Sequence, residues 1–248
     1  MAHDRSRVRT RPPRGDRGTP HCTTDADDIE PFLHDEASFP GAHTPKVCFP
    51  RNEAEIAGLL HSERHVLCVG AQSSLTGGAT PCGETVLSSA RLARTFELRA
   101  DRVVVGPGLL LRTMIDKLAA QGRYYPPVPT YDGATIGGTV ATNAAGAATF
   151  KHGTTRDWVE RLVVVLACGE VLELHRGEVT ADERGGFDIV LLDDSQIRVE
   201  RPNIEMPDVP KISSGYYSRP GMDLIDLFIG SEGTLGVVAE IELRLIDK

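Results

Sequence analysis

Apolar residues recur at helical spacing in one clear segment near the middle of the chain. Leu111, Met114, Ile115 and Leu118 stand at positions i, i+3, i+4 and i+7, so a helix would bring them onto one face. Gly122 follows where a helix commonly ends in a left-handed residue. The pattern predicts an amphipathic helix that packs against a core.

A second helix is predicted to begin after Asn52. Asn52 can cap the first turn, and Glu55 stands three residues further on, as in a capping box. Ile56, Leu59 and Leu60 then share one apolar face.

Short runs of β-branched and apolar residues predict strands between and after these helices. The predicted strands cover residues 65–69, 86–87, 103–105 and 162–166. Residues 188–192 and 196–200 predict a hairpin that turns at 193–195. The last segment alternates: Ala239, Ile241, Leu243 and Leu245 face one way and Glu240, Glu242 and Arg244 the other, which predicts a half-buried strand.

Three glycine-rich segments are the candidate binding elements. The first, Gly70–Gly78, follows a predicted strand, and its backbone N–H groups could converge on a pyrophosphate; an ordinary flexible connection is the alternative. The second, Gly133–Gly146, carries almost only small side chains, so either a flat, bulky group or another chain segment packs against it. The third, Ile229–Val237, has glycines at i, i+3 and i+6 before the last strand and alone could be a turn.

Several familiar catalytic and nucleotide motifs are absent. The sequence has no G-x-G-x-x-G, no P-loop and no G-x-S-x-G motif. His61 and His65 are four residues apart, but Ser62 replaces the glutamate of H-E-x-x-H, so no metal site is predicted. Asp132, Asp157 and Glu232 are candidate acid–base groups, yet carboxylates in such loops more often cap N–H groups, and no catalytic residue is assigned.

Composition narrows the class of protein. The net charge of −8 gives no electrostatic footprint for nucleic acid, and no apolar run approaches the roughly 18 residues of a membrane span. The cysteines, five in number and without a C-x-x-C pair, argue against a disulfide framework and favour a reducing, cytoplasmic setting. Residues 1–28 are rich in Arg, Pro and Gly and are expected to form a disordered basic tail.

In their order along the chain, these segments resemble the FAD-binding PCMH-type (vanillyl-alcohol oxidase) family, in particular the FAD-linked oxidase N-terminal domain of D-lactate dehydrogenases and glycolate oxidase subunits. The similarity runs from about Glu30 to Lys248. It is carried by residues 33–38, 45–50, 70–78, 126–129, 135–138 with Asn143, 152–153 and 229–237.

The resemblance implies an α+β fold in which FAD lies between two α/β lobes. We expect one FAD-binding domain over residues 29–248, with lobes of about 29–105 and 106–248. Relatives continue into a second domain that binds substrate and covers the flavin, and this cap domain is expected to be absent here.

The resemblance also implies the cofactor-binding residues. Backbone groups of Gln72 to Gly78 would hold the pyrophosphate, and the absence of a histidine at this loop implies non-covalent FAD. Other positions would line the ribityl chain and isoalloxazine or lie beside the adenine or ribityl end. The full set is Gly70, Ala71, Gln72, Ser73, Ser74, Leu75, Thr76, Gly77, Gly78, Pro129, Thr130, Thr135, Gly137, Gly138, Ala141, Asn143, Gly146, Gly153, Glu232, Gly236 and Val237.

The implied activity is FAD-dependent oxidation of the CH–OH group of a small 2-hydroxy acid such as D-lactate or glycolate. Two alternatives stay open at this point. The chain could be an electron-relay subunit that binds FAD but no organic substrate, or a flavin module that needs a partner chain for turnover.

Overall fold

The computed structural model describes residues 5–209, 211–212 and 215–248. Its strands are β1 (Arg7–Arg9), β2 (His21–Thr23), β3 (Val47–Phe49), β4 (Val66–Val69), β5 (Thr85–Ser88), β6 (Phe96–Leu98), β7 (Arg102–Val105), β8 (Arg123–Tyr124), β9 (Val159–Val165), β10 (Val171–His175), β11 (Gly186–Val190), β12 (Gln196–Glu200), β13 (Val237–Arg244) and β14 (Ile246–Asp247). Its helices are α1 (Ala26–Ile29), α2 (Glu53–Ser62), α3 (Leu111–Ala119), α4 (Ile136–Ala141), α5 (Thr149–His152) and α6 (Ile225–Phe228), with 3-10 turns at Glu30–Phe32, Ser89–Leu92 and Thr155–Trp158.

The first lobe is built on a four-stranded sheet of order β2-β3-β5-β4, in which β3, β5 and β4 run parallel. The predicted helix connects β3 to β4 as α2. The Asn52 side chain accepts a hydrogen bond from the Glu55 amide at 2.9 Å, which confirms the predicted start. Ile56 and Leu59 are buried, since this helix covers the sheet. The parallel strand β4 ends at Val69, so Gly70 lies at the carboxyl end of this strand. Ligands of parallel sheets commonly bind at the carboxyl ends of the strands.

The second lobe is built on a five-stranded antiparallel sheet of order β10-β9-β13-β7-β6. Helix α3 packs on it through Leu111, Met114 and Leu118, all buried, as the helical spacing predicted. The predicted hairpin forms as β11 and β12, which pair antiparallel. The strands predicted at 65–69, 86–87, 103–105 and 162–166 correspond to β4, β5, β7 and β9.

The last segment follows the predicted half-buried pattern, with Leu245 buried and Arg244 exposed, except at Glu242. Ile241 and Leu243 are fully buried, but Glu242 on the other side is only 4% exposed. Its carboxylate accepts hydrogen bonds from Arg99 at 2.9 Å and Arg102 at 3.0 Å. A polar residue in an alternating pattern can therefore be buried when arginines of the adjacent β6–β7 hairpin pair with it.

The boundary between the lobes lies earlier than predicted. The sequence placed it between residues 105 and 106. However, β6 and β7 pair with each other and β7 pairs with β13, so both belong to the second sheet. Pairing with residues that are distant in sequence decides to which sheet a strand belongs. The local sequence of residues 96–105 does not indicate this pairing.

The prediction of a disordered tail over residues 1–28 is wrong for the part from Arg5 onward. Strand β1 pairs parallel with β11, and β2 pairs antiparallel with β3. The guanidinium of Arg11 binds Glu53 at 2.7 Å and Glu173 at 3.1 Å, which joins this segment to both lobes. Arg9, Arg11 and Arg14, which suggested a solvated tail, instead form ion pairs with acidic residues far away in the sequence.

A disulfide also contradicts the interpretation of the cysteines. Cys22 and Cys48 face each other across β2 and β3 and are bonded. Their spacing along the chain carries no sign of this, because cross-strand neighbours are set by register. Because a disulfide is present, the cysteines no longer argue for a reducing compartment. The cytoplasmic location stays a prediction, and the cysteines do not support it. Within the described ranges, no helix has the length and apolar character needed to cross a membrane.

Candidate functional site

A cleft of about 270 Å³ opens where the two lobes meet. Its walls come from three places in the chain: the loop after β4, the segment around α4, and the turn before β13. The lining residues are Cys68, Val69, Gly70, Ala71, Gln72, Ser73, Ser74, Gly78, Ala79, Ser89, Pro107, Pro129, Tyr131, Ala134, Thr135, Gly137, Gly138, Thr139, Ala141, Thr142, Ala144, Phe228, Ser231, Glu232, Gly233, Gly236 and Val238.

The loop over residues 70–78 presents unpaired backbone donors. Within the described part of the chain, these amides donate to no protein acceptor: Ala71, Gln72, Ser73, Ser74, Leu75, Gly77 and Gly78. A run of neighbouring N–H groups without protein acceptors is the arrangement that binds phosphate oxygens. The loop therefore fits a pyrophosphate group.

Helix α4 forms the second wall. The Thr135 hydroxyl accepts a hydrogen bond from the Gly138 amide at 3.2 Å and caps the helix start. The sequence did not predict this helix, since its Gly-Gly pair and short length give a weak helical signal.

The two explanations offered for the small residues of this segment apply to different glycines. A Cβ on Gly137 would lie 2.7 Å from the Pro107 side chain, and one on Gly146 would lie 1.9 Å from the Val128 carbonyl oxygen. These two glycines permit close packing between chain segments. Gly137 and Gly138 both line the cleft, but the nearest atom to a Cβ on Gly138 would be the Thr135 hydroxyl oxygen, at 3.1 Å. Small size at Gly138 leaves room for a ligand.

The third wall is the turn from Gly230 to Gly236, which is fastened to α4. The Gly230 amide donates to the Val140 carbonyl and the Glu232 amide to the Ala141 carbonyl, each at 3.0 Å. Glu232 has a left-handed backbone, with φ of 51°, and its carboxylate points toward Gly78 across the cleft. Strained non-glycine residues of this kind concentrate at functional sites.

The cleft is poor in charge. Among its described lining residues there is no lysine, arginine or histidine, and Glu232 is the sole carboxylate. Burial raises the pKa of the Cys68 thiol to about 11, so it is neutral at physiological pH. An anionic ligand would therefore be held by backbone dipoles rather than by ion pairs.

The structure brings most of the predicted cofactor-binding residues together in this cleft. Those that line it are Gly70, Ala71, Gln72, Ser73, Ser74, Gly78, Pro129, Thr135, Gly137, Gly138, Ala141, Glu232 and Gly236. Those that do not line it are Leu75, Thr76, Gly77, Thr130, Asn143, Gly146, Gly153 and Val237.

Several of the residues outside the lining support the walls. Val237 is buried and pairs with Val165 in the second sheet. Asn143 is buried with φ of 46°; its side chain accepts from the Arg156 amide and donates to the Ile212 carbonyl.

Gly153 contacts the carboxylate of Asp157, which caps the 3-10 turn Thr155–Trp158. The capping interpretation therefore holds for Asp157, whereas Asp132 pairs with Arg112 at 2.6 Å on the surface, which lowers the pKa of Asp132.

Sequence reasoning missed some lining residues. Pro107 and Ser89 form part of the cleft wall. The two glycines on either side of Pro107 were the sequence signal for close packing at this segment. In the structure, a Cβ on Gly106 would lie 1.8 Å from the Leu92 carbonyl oxygen, and one on Gly108 would lie 1.9 Å from that of Ser89. Two glycines with such close backbone contacts mark a segment that packs directly beneath the site.

The sequence profile of the family described as FAD binding domain matches residues 45–175, more than half of the chain. The chain belongs to this family. FAD is therefore its cofactor. The fold is of the PCMH type, which confirms the prediction from the sequence. The donor loop and the cleft of small residues in this FAD-binding domain fit an extended dinucleotide.

Its curated relatives are longer proteins. The domain is 32% identical to a D-lactate dehydrogenase of Anaerostipes hadrus over 225 residues, which cover 88% of the chain and 40% of the relative. It is 36% identical to a D-2-hydroxyglutarate dehydrogenase of Xanthomonas citri pv. viticola, covering 72% and 31%. It is 32% identical to the glycolate oxidase subunit GlcD of Bacillus subtilis, covering 82% and 37%. The chain thus spans 40% or less of the length of these relatives.

A solved structure supports the fold. The FAD-binding domain superposes on an alkyldihydroxyacetonephosphate synthase with a TM-score of 0.67 and 16% identity, over 91% of this chain and 38% of the other. A second structure of that enzyme gives a TM-score of 0.58. At this identity the likeness concerns the fold alone.

Proposed function

We propose that this chain is the FAD-binding part of an oxidoreductase that oxidises a small 2-hydroxy acid. The observation that carries the proposal is the cleft, with its loop of free N–H groups, in a domain whose relatives include D-lactate dehydrogenase, D-2-hydroxyglutarate dehydrogenase and glycolate oxidase. The substrates in those names are all 2-hydroxy acids, so the shared reaction is removal of hydride from a carbinol carbon.

Each wall of the cleft has a role in the proposed site. The loop over 70–78 binds the pyrophosphate through its amides, without a cation. Gly138 and Ala141 leave space for the flat parts of the cofactor, and the lobes shield its inner face from water. When bound, FAD supplies a two-electron acceptor for the substrate's hydride.

Attachment of FAD is proposed to be non-covalent. A covalent flavin link commonly uses a histidine or a reactive cysteine, and no histidine lies in the described lining of the cleft. Cys68 does line it, but burial raises its thiol pKa to about 11, which removes the nucleophilic thiolate.

A second candidate function follows from the same lining. Acid–base chemistry on a substrate needs a group with a suitable pKa at the reacting atoms. Glu232, Tyr131 and Cys68 are the described titratable residues that line the cleft. This small set favours, as the alternative, a flavin module or electron-relay subunit whose turnover depends on residues contributed by another chain.

The test begins with a visible absorption spectrum of the purified chain and acid release of the chromophore. We expect released FAD, a flavin in the supernatant rather than on the protein, and anaerobic bleaching by D-lactate, glycolate or D-2-hydroxyglutarate but not by L-lactate. Bleaching by dithionite alone would reject hydroxy-acid oxidation by this chain and favour the relay alternative. A colourless protein that does not take up added FAD would reject both.

A further inference from the structure

Gln72 occupies a backbone conformation that normally selects glycine. Its φ is 51°, in the left-handed region, which is unfavourable for a residue with a long side chain. The side chain makes contacts that compensate. Its Nε2 lies 3.0 Å from the Phe32 carbonyl oxygen, 3.1 Å from that of His34 and 3.2 Å from that of Ala79.

These acceptors come from two separate stretches of chain. One is the strap, defined as residues 32–39, and the other is the end of the loop that begins at Gly70. The Asp35 carboxylate adds a second link, since it accepts hydrogen bonds from the Ala37 amide at 3.0 Å and the Ala79 amide at 3.3 Å. Asp35 is only 4% exposed, so this link is shielded from water.

The strap also contacts the outer part of the loop. A Cβ on Gly77 would lie 2.5 Å from the ring of Phe39, so the ring rests directly on that glycine. The loop is therefore held at its base by Gln72 and Asp35 and at its outer part by Phe39. Its other amides, among them Ser73, Ser74 and Gly78, keep no protein acceptor in the described structure.

We propose that Gln72 is a positioning residue for the cofactor: its carboxamide gathers the strap and the two ends of the loop so that the free amides of the loop converge on the pyrophosphate. This inference rests on the proposed placement of FAD in the cleft. It assigns Gln72 a role through its side chain, which binds the Phe32, His34 and Ala79 carbonyl groups, in addition to any contact its backbone makes.

The experiment compares Gln72→Met with the wild-type full chain, because methionine keeps the length of the side chain and removes its donors. FAD dissociation constants are measured by flavin fluorescence quenching, and the visible circular dichroism of FAD is recorded at saturation. The proposal predicts roughly tenfold weaker binding, the scale of losing the net contribution of one or two partly buried hydrogen bonds, together with a changed dichroism spectrum. Gln196→Met on β12, exposed and outside the cleft, is the matched control and should match the wild type.

A second variant keeps the test informative if Gln72→Met folds poorly. Gln72→Gly relieves the left-handed backbone and also removes the carboxamide, so the chain should fold while FAD binding is still weakened. Wild-type affinity and an unchanged spectrum in Gln72→Met and Gln72→Gly would overturn the inference. So would weaker binding that is matched by an equal loss of folding stability with the bound spectrum unchanged, because that describes a structural residue only. Failure of the wild type itself to bind FAD would instead refute the proposed function.

Discussion

Arg156 and Asp226 form an ion pair, with Nη1 and Oδ1 3.0 Å apart and both side chains about nine-tenths buried. The same guanidinium donates to the Ile229 carbonyl, immediately before the turn that forms the third wall, and lies 4.5 Å from the centre of the Tyr217 ring. Burial lowers the pKa of Arg156, but Asp226 keeps it charged. The pair therefore connects α6 to the 3-10 turn that follows α5.

Replacing Arg156 by methionine should destabilise the fold by about 3 kcal/mol, since the variant leaves a buried carboxylate with one partner fewer. Arg176 still pairs with Asp226 at 2.7 Å, so the loss should lie at the low end of the range for a broken buried pair. Urea unfolding monitored by circular dichroism measures the change. Arg112→Met breaks the exposed pair with Asp132 and should leave the urea midpoint close to that of the wild type. Equal losses in the two variants would contradict the role of burial.

Gly138→Leu should abolish tight FAD binding while the fold persists. Gly138 lies in α4 and lines the cleft, so a leucine side chain there would occupy space assigned to the cofactor. Gly58→Leu is the matched control: Gly58 is also a helical glycine, in α2, and a Cβ added there would have open space for 4 Å around it in the described structure. Isothermal titration with FAD should show binding in Gly58→Leu and at least about a hundredfold loss in Gly138→Leu, the effect of filling a ligand site with a side chain. Unchanged affinity in Gly138→Leu would place FAD elsewhere.

The parts of the fold that were predicted correctly have local signals. Helices α2 and α3 carry helical spacing and a cap or a terminal glycine, and β9 is a continuous apolar run. The parts that were missed depend on pairing between distant residues. Nothing near β1 indicates that it will join β11, and nothing near Glu242 indicates arginine partners in the β6–β7 hairpin.

The candidate site shows the same division. Glycine-rich segments indicated the three walls, because positions where two backbones come close together require glycine. Which motif residues face the cleft and which support it depends on side-chain direction, so Gly138 lines the cleft whereas Gly146 packs against Val128. The link from Gln72 to the strap was not predictable, since it joins carbonyl groups that any residue would carry.

The Cys22–Cys48 disulfide should contribute about 3 kcal/mol to stability. It closes a loop with a sequence separation of 26 residues, and the entropy removed from the unfolded chain by a loop of this size has that magnitude. Unfolding of the oxidised protein should therefore need more urea than unfolding of the Cys22→Ser variant. Cys82→Ser, which alters an exposed free cysteine, should unfold like the wild type. Identical midpoints for all three proteins would reject the contribution.

Acid should destabilise the fold partly through Glu55. Hydrogen bonding to the Arg51 side chain lowers the pKa of Glu55. Because the folded pKa lies below the unfolded one, the stabilisation is present at neutral pH and is lost as the pH falls from about 4.3 through the folded pKa. Glu55→Gln should be less stable at neutral pH and should lose less of its stability below pH of about 4. Glu183→Gln, on the surface, supplies the control for the change in net charge. Parallel stability curves for the wild type and Glu55→Gln would contradict this assignment.

The free cysteines should differ sharply in reactivity. Burial raises the pKa of Cys68 to about 11, whereas Cys82 and Cys168 are exposed. At pH 8 a thiol with that pKa is ionised in only about one molecule in a thousand, and the thiolate is the reactive form. Brief treatment of the native protein with iodoacetamide should therefore label Cys82 and Cys168 and leave Cys68 unlabelled, as read by peptide mass spectrometry. Labelling in urea should add Cys68, which shows that the site itself is alkylatable. Rapid labelling of Cys68 in the native protein would mean that the inner wall of the cleft is more open than the structure shows.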